Sequence, residues 1–190
     1  MSTKVTIDWT APVANPKKVA AFFKRSLRNL NHLVQITIGD PVKPAERRGI
    51  AAQFSWQDIV LMHIGQKLLT FGWSPPRVRR CIEGIREQWK LLMHYYSIHM
   101  YDPLTGDLYG SSEGNHLIDL ESDSDMAAQI FLVVRTVEEG ISVTLLEAVD
   151  MPVYSSPLDT EWYTEPFLTM DLTHCLVEAF KKWHLEIDRG

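Results

Sequence analysis

Phe54-Ser55-Trp56-Gln57-Asp58-Ile59-Val60, continuing through Leu68-Leu69 and Gly72-Trp73-Ser74 to Val78-Arg79-Arg80-Cys81-Ile82-Glu83-Gly84-Ile85-Arg86, is the best-punctuated stretch of the chain. Ser55 followed by Asp58 has the spacing of a capping box, with Asp in place of the usual Glu. A helix is predicted from Trp56 to about Phe71. Gly72 supplies the left-handed residue that commonly ends a helix. Ser74 then caps a second helix whose first turn holds Pro75 and Pro76, where proline costs no hydrogen bond. One face of that helix is apolar (Val78, Cys81, Ile82, Ile85, Trp89, Leu92). The other carries Arg77, Arg79, Arg80, Glu83, Arg86 and Lys90.

Upstream, Val5, Ile7 and Trp9 alternate with polar residues, as in a short strand or an extended arm. Asn15-Pro16 reads as a cap plus first helical residue. Apolar residues then recur at helical spacing from Val19 to Val34. One continuous helix over 15–34 and two helices with a turn near Lys24–Ser26 both fit, because Ser26 is a second candidate cap. Val34 to Ile38 reads as a possible short strand. Gly39, Pro41, Pro44 and Gly49 mark a loop carrying Lys43, Arg47 and Arg48.

Downstream of Met93 the texture changes. Tyr95 to Tyr101 is strand-like, Asp102 to Asp107 is a turn, and Glu113-Gly114-Asn115 is another before the alternating His116 to Leu120. Ile130 to Thr136 and Ile141 to Ala148 flank a hairpin loop. A helix from Met126 to Glu139 competes, but β-branched crowding favours strands. Asp171 to His184 is an amphipathic helix with Leu172, Cys175, Leu176, Ala179, Phe180 and Trp183 on one side. Tyr154 to Pro166 reads as a long aromatic-rich loop. The expectation is an α+β chain. A mostly helical domain spans 15–93, and an acidic domain at 94–190 combines antiparallel strands with a terminal helix.

Charge divides at the same place. The net −5 of the 190 residues hides +9 over residues 1–93 (15 Lys+Arg, 6 Asp+Glu) and −14 over 94–190 (4 Lys+Arg, 18 Asp+Glu). A basic half suits a polyanion, and an acidic half repels one. At 45% hydrophobic the chain can bury a core, so a disordered chain is excluded. No apolar run reaches the ~18–20 residues of a membrane helix. With no secretory segment visible and only two cysteines, Cys81 and Cys175, a reducing cytoplasm is the expected setting.

The stretch quoted first resembles MerR-type winged-helix regulators over roughly residues 44–86. In that family an aromatic-Ser-x-x-Asp-aliphatic box ends the wing and starts a helix, and a Gly-x-Ser/Thr turn leads into the next. The resemblance implies a DNA-binding dimer acting at promoters, with Arg47, Arg48 and Gly49 in the basic wing. The reading helix would be Ser26 to Val34, exposing Arg28, Asn29, Asn31 and His32. Arg and Asn side chains can make bidentate contacts to base edges. Lys43, Arg47 and Arg48 would anchor phosphates. Three departures from the family stand out, the first being that its R-x-Y in the reading helix is matched here only by Asn31-His32-Leu33. Lys24-Arg25-Ser26 occupies the place of a turn that often contains Gly, and strands rather than a long coiled coil follow the winged helix.

Other chemistry lacks a pattern. The run Asp119 to Asp125 has neither the Gly nor the Glu of a calcium loop, since position twelve is Ile130. The histidines show no HxxxH, and both cysteines fall on apolar faces, so no metal and no cofactor are expected. No phosphate loop, dinucleotide fingerprint or nucleophile elbow occurs, so no enzyme is expected. The expectation is a non-enzymatic, cytoplasmic, homo-oligomeric transcription regulator that partners duplex DNA and no membrane. The alternative is a winged-helix adaptor or assembly subunit. It would have lost specific DNA reading, and its acidic half would dock a basic protein or another copy's basic half.

Overall fold

The computed structural model describes residues 4–45, 51–95, 100–111, 117–119, 130–137, 140–147 and 167–188. The order is β1 (Val5–Thr6), β2 (Pro12–Ala14), α1 (Pro16–Phe22), α2 (Leu27–Ile36), β3 (Phe54–Ser55), α3 (Trp56–Thr70) and α4 (Pro75–Tyr95). β4 (Met100–Tyr101), β5 (Leu108–Ser111), β6 (Leu117–Asp119), β7 (Ile130–Val137), β8 (Gly140–Glu147), β9 (Phe167–Asp171) and α5 (Leu172–Trp183) follow. A π-helical turn, His184–Asp188, extends α5. The fold is α+β, helical in its N-terminal part and strand-plus-helix in its C-terminal part.

Among the described residues every sheet pairing is antiparallel. β1 joins β4, β5 and β6 in one sheet, β2 pairs β3, and β7 lies between β8 and β9. The β7–β8 hairpin pairs Ile130 with Glu147 through Val137 with Gly140. It replaces the competing helix over Met126 to Glu139, in keeping with the β-branched run Val133-Val134. Two other expectations are corrected. Tyr95 ends α4 rather than opening a strand, so only Met100–Tyr101 is extended there. Val34 to Ile38 is not a strand: α2 continues to Ile36, and Thr37 closes it with Oγ1 donating to the Leu33 carbonyl at 2.6 Å. The loop Tyr154 to Pro166, the turn Glu113-Gly114-Asn115 and Leu120 to Asp125 of the acidic run lie outside the described residues.

Local chemistry accounts for the helix ends. In α3 the Ser55 hydroxyl accepts from Asp58 N at 3.1 Å, and Asp58 Oδ2 accepts from Ser55 N at 3.0 Å, the reciprocal capping box. Gly72 takes φ +85° after the last turn. Asp171 caps α5 by accepting from His174 N at 2.8 Å. Both α3 and α4 carry a glycine where a neighbour comes too close for a side chain. A Cβ on Gly65 would collide with Thr37 Cγ2, and one on Gly84 would lie 2.9 Å from Val143 Cβ of β8.

Residues on both sides of position 93 enter one core. Trp56 of α3 stacks on Phe180 of α5 (centroids 4.2 Å apart, planes 22° apart) and meets Trp183 edge-on at 5.3 Å. Trp9 sets its ring edge-to-face with both Trp89 and Phe180. Such pairs add ~0.5–1.5 kcal/mol each beyond the area they bury. Ion pairs also join basic segment to acidic segment, Lys24 to Glu186 at 3.1 Å and Lys67 to Glu178 at 2.5 Å.

Candidate nucleic-acid interface

Residues 15–36 form two helices, not one. Asn15 caps α1, its side chain accepting from Lys17 N and Lys18 N. The helix then stops within two turns. Lys24 adopts φ +52°, Lys24 N donates to the Ala21 carbonyl, and Arg25 N donates to the Ala20 carbonyl, both at 2.9 Å. This pair of bonds is a Schellman closure, with lysine in the left-handed position that glycine usually fills. Ser26 restarts the helix, its hydroxyl accepting from Asn29 N at 3.3 Å.

The second helix is sharply two-sided. Leu30, Leu33 and Val34 are buried, while Leu27, Arg28, Asn29, Asn31, His32 and Gln35 face solvent. No carboxylate lies on α2, so nothing on that face repels a phosphate backbone. Gln35 belongs to this face, four residues after Asn31, and the strand expected from Val34 concealed it. Its amide donates to the Gly39 carbonyl at 3.3 Å. Asp40, at the end of the following turn, brings the nearest acid in sequence.

A hairpin stands beside α2. Lys43 and Gln53 exchange both backbone hydrogen bonds, 3.2 and 2.8 Å, and pair antiparallel. Its root is pinned to α3, because Asp58 Oδ2 also accepts from Val42 N at 2.9 Å. The capping box therefore fixes the start of α3 and the base of the hairpin through one carboxylate. Between α2 and this hairpin lies a groove of about 340 Å³, lined among others by Asn31, Gln35, Asp40, Pro44 and Phe54. Lys43 is exposed on the hairpin. Arg47, Arg48 and Gly49, expected at its tip, lie outside the described residues. Of the six expected interface residues, Arg28, Asn29 and Asn31 share the exposed side of α2, and Lys43 stands on the neighbouring hairpin.

Two of the arginines on the basic side of α4 are engaged within the chain. Arg79 Nε pairs with Glu83 at 3.2 Å, and the Arg77 guanidinium lies 4.2 Å over the Trp73 ring. Both thiols are buried: burial pushes Cys81 up to about 12, against a smaller opposing effect of Arg77, and Cys175 up to about 11. Among the described residues no group of three His, Cys, Asp or Glu side chains is placed to hold a metal ion, and no helix is long and apolar enough to cross a membrane. Compared with models of known protein families and with curated proteins, the chain matches none.

Proposed function

We propose that the chain is a non-enzymatic, duplex-DNA-binding regulator of MerR-like winged-helix type, working in the cytoplasm as a homo-oligomer. Arg28, Asn29 and Asn31 read base edges, and Lys43, Arg47 and Arg48 hold phosphates. The observation that carries this reading is the turn at Lys24–Ser26. It separates α1 from α2 and leaves α2 with an exposed, acid-free, amide- and guanidinium-bearing side. A continuous helix would have supported the adaptor instead. The hairpin base at Lys43 and Gln53 supports a wing beside the reading helix.

The test is selection of duplexes from a random pool by the full chain, followed by anisotropy titrations of the enriched sequence. Binding is expected to weaken steeply with salt, and Arg28→Ala and Asn31→Ala to erase preference for the enriched sequence over bulk DNA. Failure to enrich any sequence, with no affinity for bulk duplex at low salt, would remove this reading.

The adaptor reading draws on exposed apolar side chains beside the same face, Leu27 at 48% and Val42 at 40%. It predicts a salt-sensitive protein partner for the acidic half, or self-association, with no DNA binding.

A further inference from the structure

A second groove lies between α3 and α5 and shares no lining residue with the α2 groove. It encloses about 340 Å³, at the lower end of the usual range of small-molecule sites. His63, Lys67 and Thr70 reach it from successive turns of α3, Phe71 stands just past the end of that helix, and Glu178 and Lys182 reach it from one turn of α5.

Three groups in this groove have demands that the described residues leave unmet. The first is Lys182, half-buried, with its ammonium 4.5 Å over the Phe22 ring and no carboxylate within ion-pair distance among the described residues. Glu178 does not serve it, because Glu178 is taken by Lys67. The second is His63, whose side chain is only 7% exposed. Its Nε2 makes no hydrogen bond among the described residues and lies 3.6 Å from Glu178 Oε2, beyond hydrogen-bond reach. The third is Phe71, 64% exposed, a large ring left in water at the groove.

The charge count selects the ligand. Among the lining groups Lys67 and Glu178 cancel, His63 is neutral, and Lys182 keeps a positive charge, because Glu186, the other acid that acts on it, is paired with Lys24. That suits one carboxylate better than a doubly charged phosphate. A planar apolar body behind the carboxylate would cover Phe71. We propose that the α3–α5 groove binds a small aromatic carboxylate, its charge on Lys182, its oxygen beside His63 Nε2 and its ring against Phe71. The site is independent of DNA reading. Its neighbour is nevertheless the first helix of the pair, since the Phe22 ring of α1 lies 6.2 Å from the His63 ring.

Burial, the dominant effect on His63, holds its pKa down at about 4, so the imidazole also serves as a reporter. Glu178 pulls it up, and Lys67 and Lys182 push it down. An anion seated beside it raises its pKa. The experiment titrates the full chain with benzoate, following the His63 imidazole by NMR and the heat by calorimetry. Benzamide and inorganic phosphate are the comparisons. Saturable one-to-one benzoate binding with an upward shift of the His63 pKa is expected, with both comparisons binding at least about tenfold more weakly. Lys182→Gln removes the charge-assisted interaction and is expected to weaken benzoate about tenfold or more. Phe71→Ala, at an exposed position that leaves the core intact, is expected to weaken benzoate while leaving acetate unchanged. Absence of a saturable His63 response to benzoate overturns the proposal. So does equal binding of benzamide or phosphate, or unchanged affinity in both folded variants.

Discussion

Gly65 of α3 and Thr37 at the end of α2 are packed so closely that there is no room between them for even a methyl group. Thr37 is 1% exposed, and its hydroxyl is committed to the Leu33 carbonyl, so it has no ready way to turn aside. Gly65→Ala gains up to about 1 kcal/mol of helix propensity and incurs roughly 1–3 kcal/mol of overpacking. The net expectation is destabilisation by about 1–2 kcal/mol in urea unfolding, because the collision is with a buried, hydrogen-bonded neighbour. The exposed face of α2 shifts with it. A variant as stable as wild type would show that the two helices can part without cost.

Asp58 joins the start of α3 to the base of the hairpin. Asp58→Ala strands the N–H groups of Ser55 and Val42 together, and a loss of about 2–3 kcal/mol is expected from the missing cap and the unsatisfied donors. Hydrogen exchange at Val42 is expected to accelerate more than exchange in the middle of α3. Uniform acceleration would contradict the local tie.

For DNA, the two kinds of interaction separate by salt. Lys43→Ala, and the pair Arg47→Ala with Arg48→Ala, are expected to weaken binding to every duplex and to lower the salt slope by about 1 for each phosphate-binding side chain removed. Asn31→Ala is expected to cost about 1–3 kcal/mol on the preferred sequence alone, leaving the slope unchanged. Anisotropy titrations from low to moderate salt measure both quantities. Identical slopes in the lysine and arginine variants would reassign those residues.

Acid should weaken the fold in a defined window. His63 titrates near 6.5 when unfolded and at about 4 when folded, so between those values the unfolded chain binds more protons. Stability is therefore full above about pH 6.5 and falls as pH drops toward 4, by at most about 3 kcal/mol from this residue. At Glu178 desolvation acts upward, but the hydrogen bond from Lys67 and, in acid, the charge of protonated His63 outweigh it and hold the carboxyl below its ordinary value. Its contribution is therefore lost only at lower pH. Urea midpoints measured from pH 7 to pH 4.5 should slope in wild type and flatten in His63→Gln. Parallel slopes would assign the acid sensitivity elsewhere.

Both cysteines should be silent in the native state. Their thiols, buried and held far above neutral pH, are expected to react with a thiol reagent only as the chain unfolds, and together. Fast modification of either under native conditions would place that thiol at the surface.

Where the sequence was punctuated by caps and glycines, the fold was legible. Ser55–Asp58, Gly72 and Asp171 each mark a boundary that the structure keeps to within about a residue. The break between α1 and α2 was harder to read because its left-handed position holds Lys24. A lysine in the sequence does not announce the conformation that a glycine would. The end of α2 was misplaced for a related reason. Thr37 stops the helix through a side chain bonded back to Leu33, and a β-branched pair around Gln35 reads equally as a strand. The α2 side of the proposed interface could be read because helical spacing alone separates Arg28, Asn29 and Asn31 from Leu30 and Leu33. The α3–α5 groove was not legible. His63 and Lys67 meet Glu178 and Lys182 only through tertiary packing, and no local spacing links residues so far apart in the chain.

The aromatic core also sets an order in time. Phe22 of α1 rests against Trp183 at 5.6 Å, and Trp56 at the head of α3 is covered by Phe180. During synthesis, at roughly 5–20 residues per second, the N-terminal helices emerge long before α5 exists to cover them. Pairings this distant in sequence close late and slowly. The helix pair thus reaches its finished packing only once α5 has been made. An interrupted chain that lacks α5 holds every residue of the proposed reading face but not the packing that steadies it, and should be a poor competitor for any site the complete protein occupies.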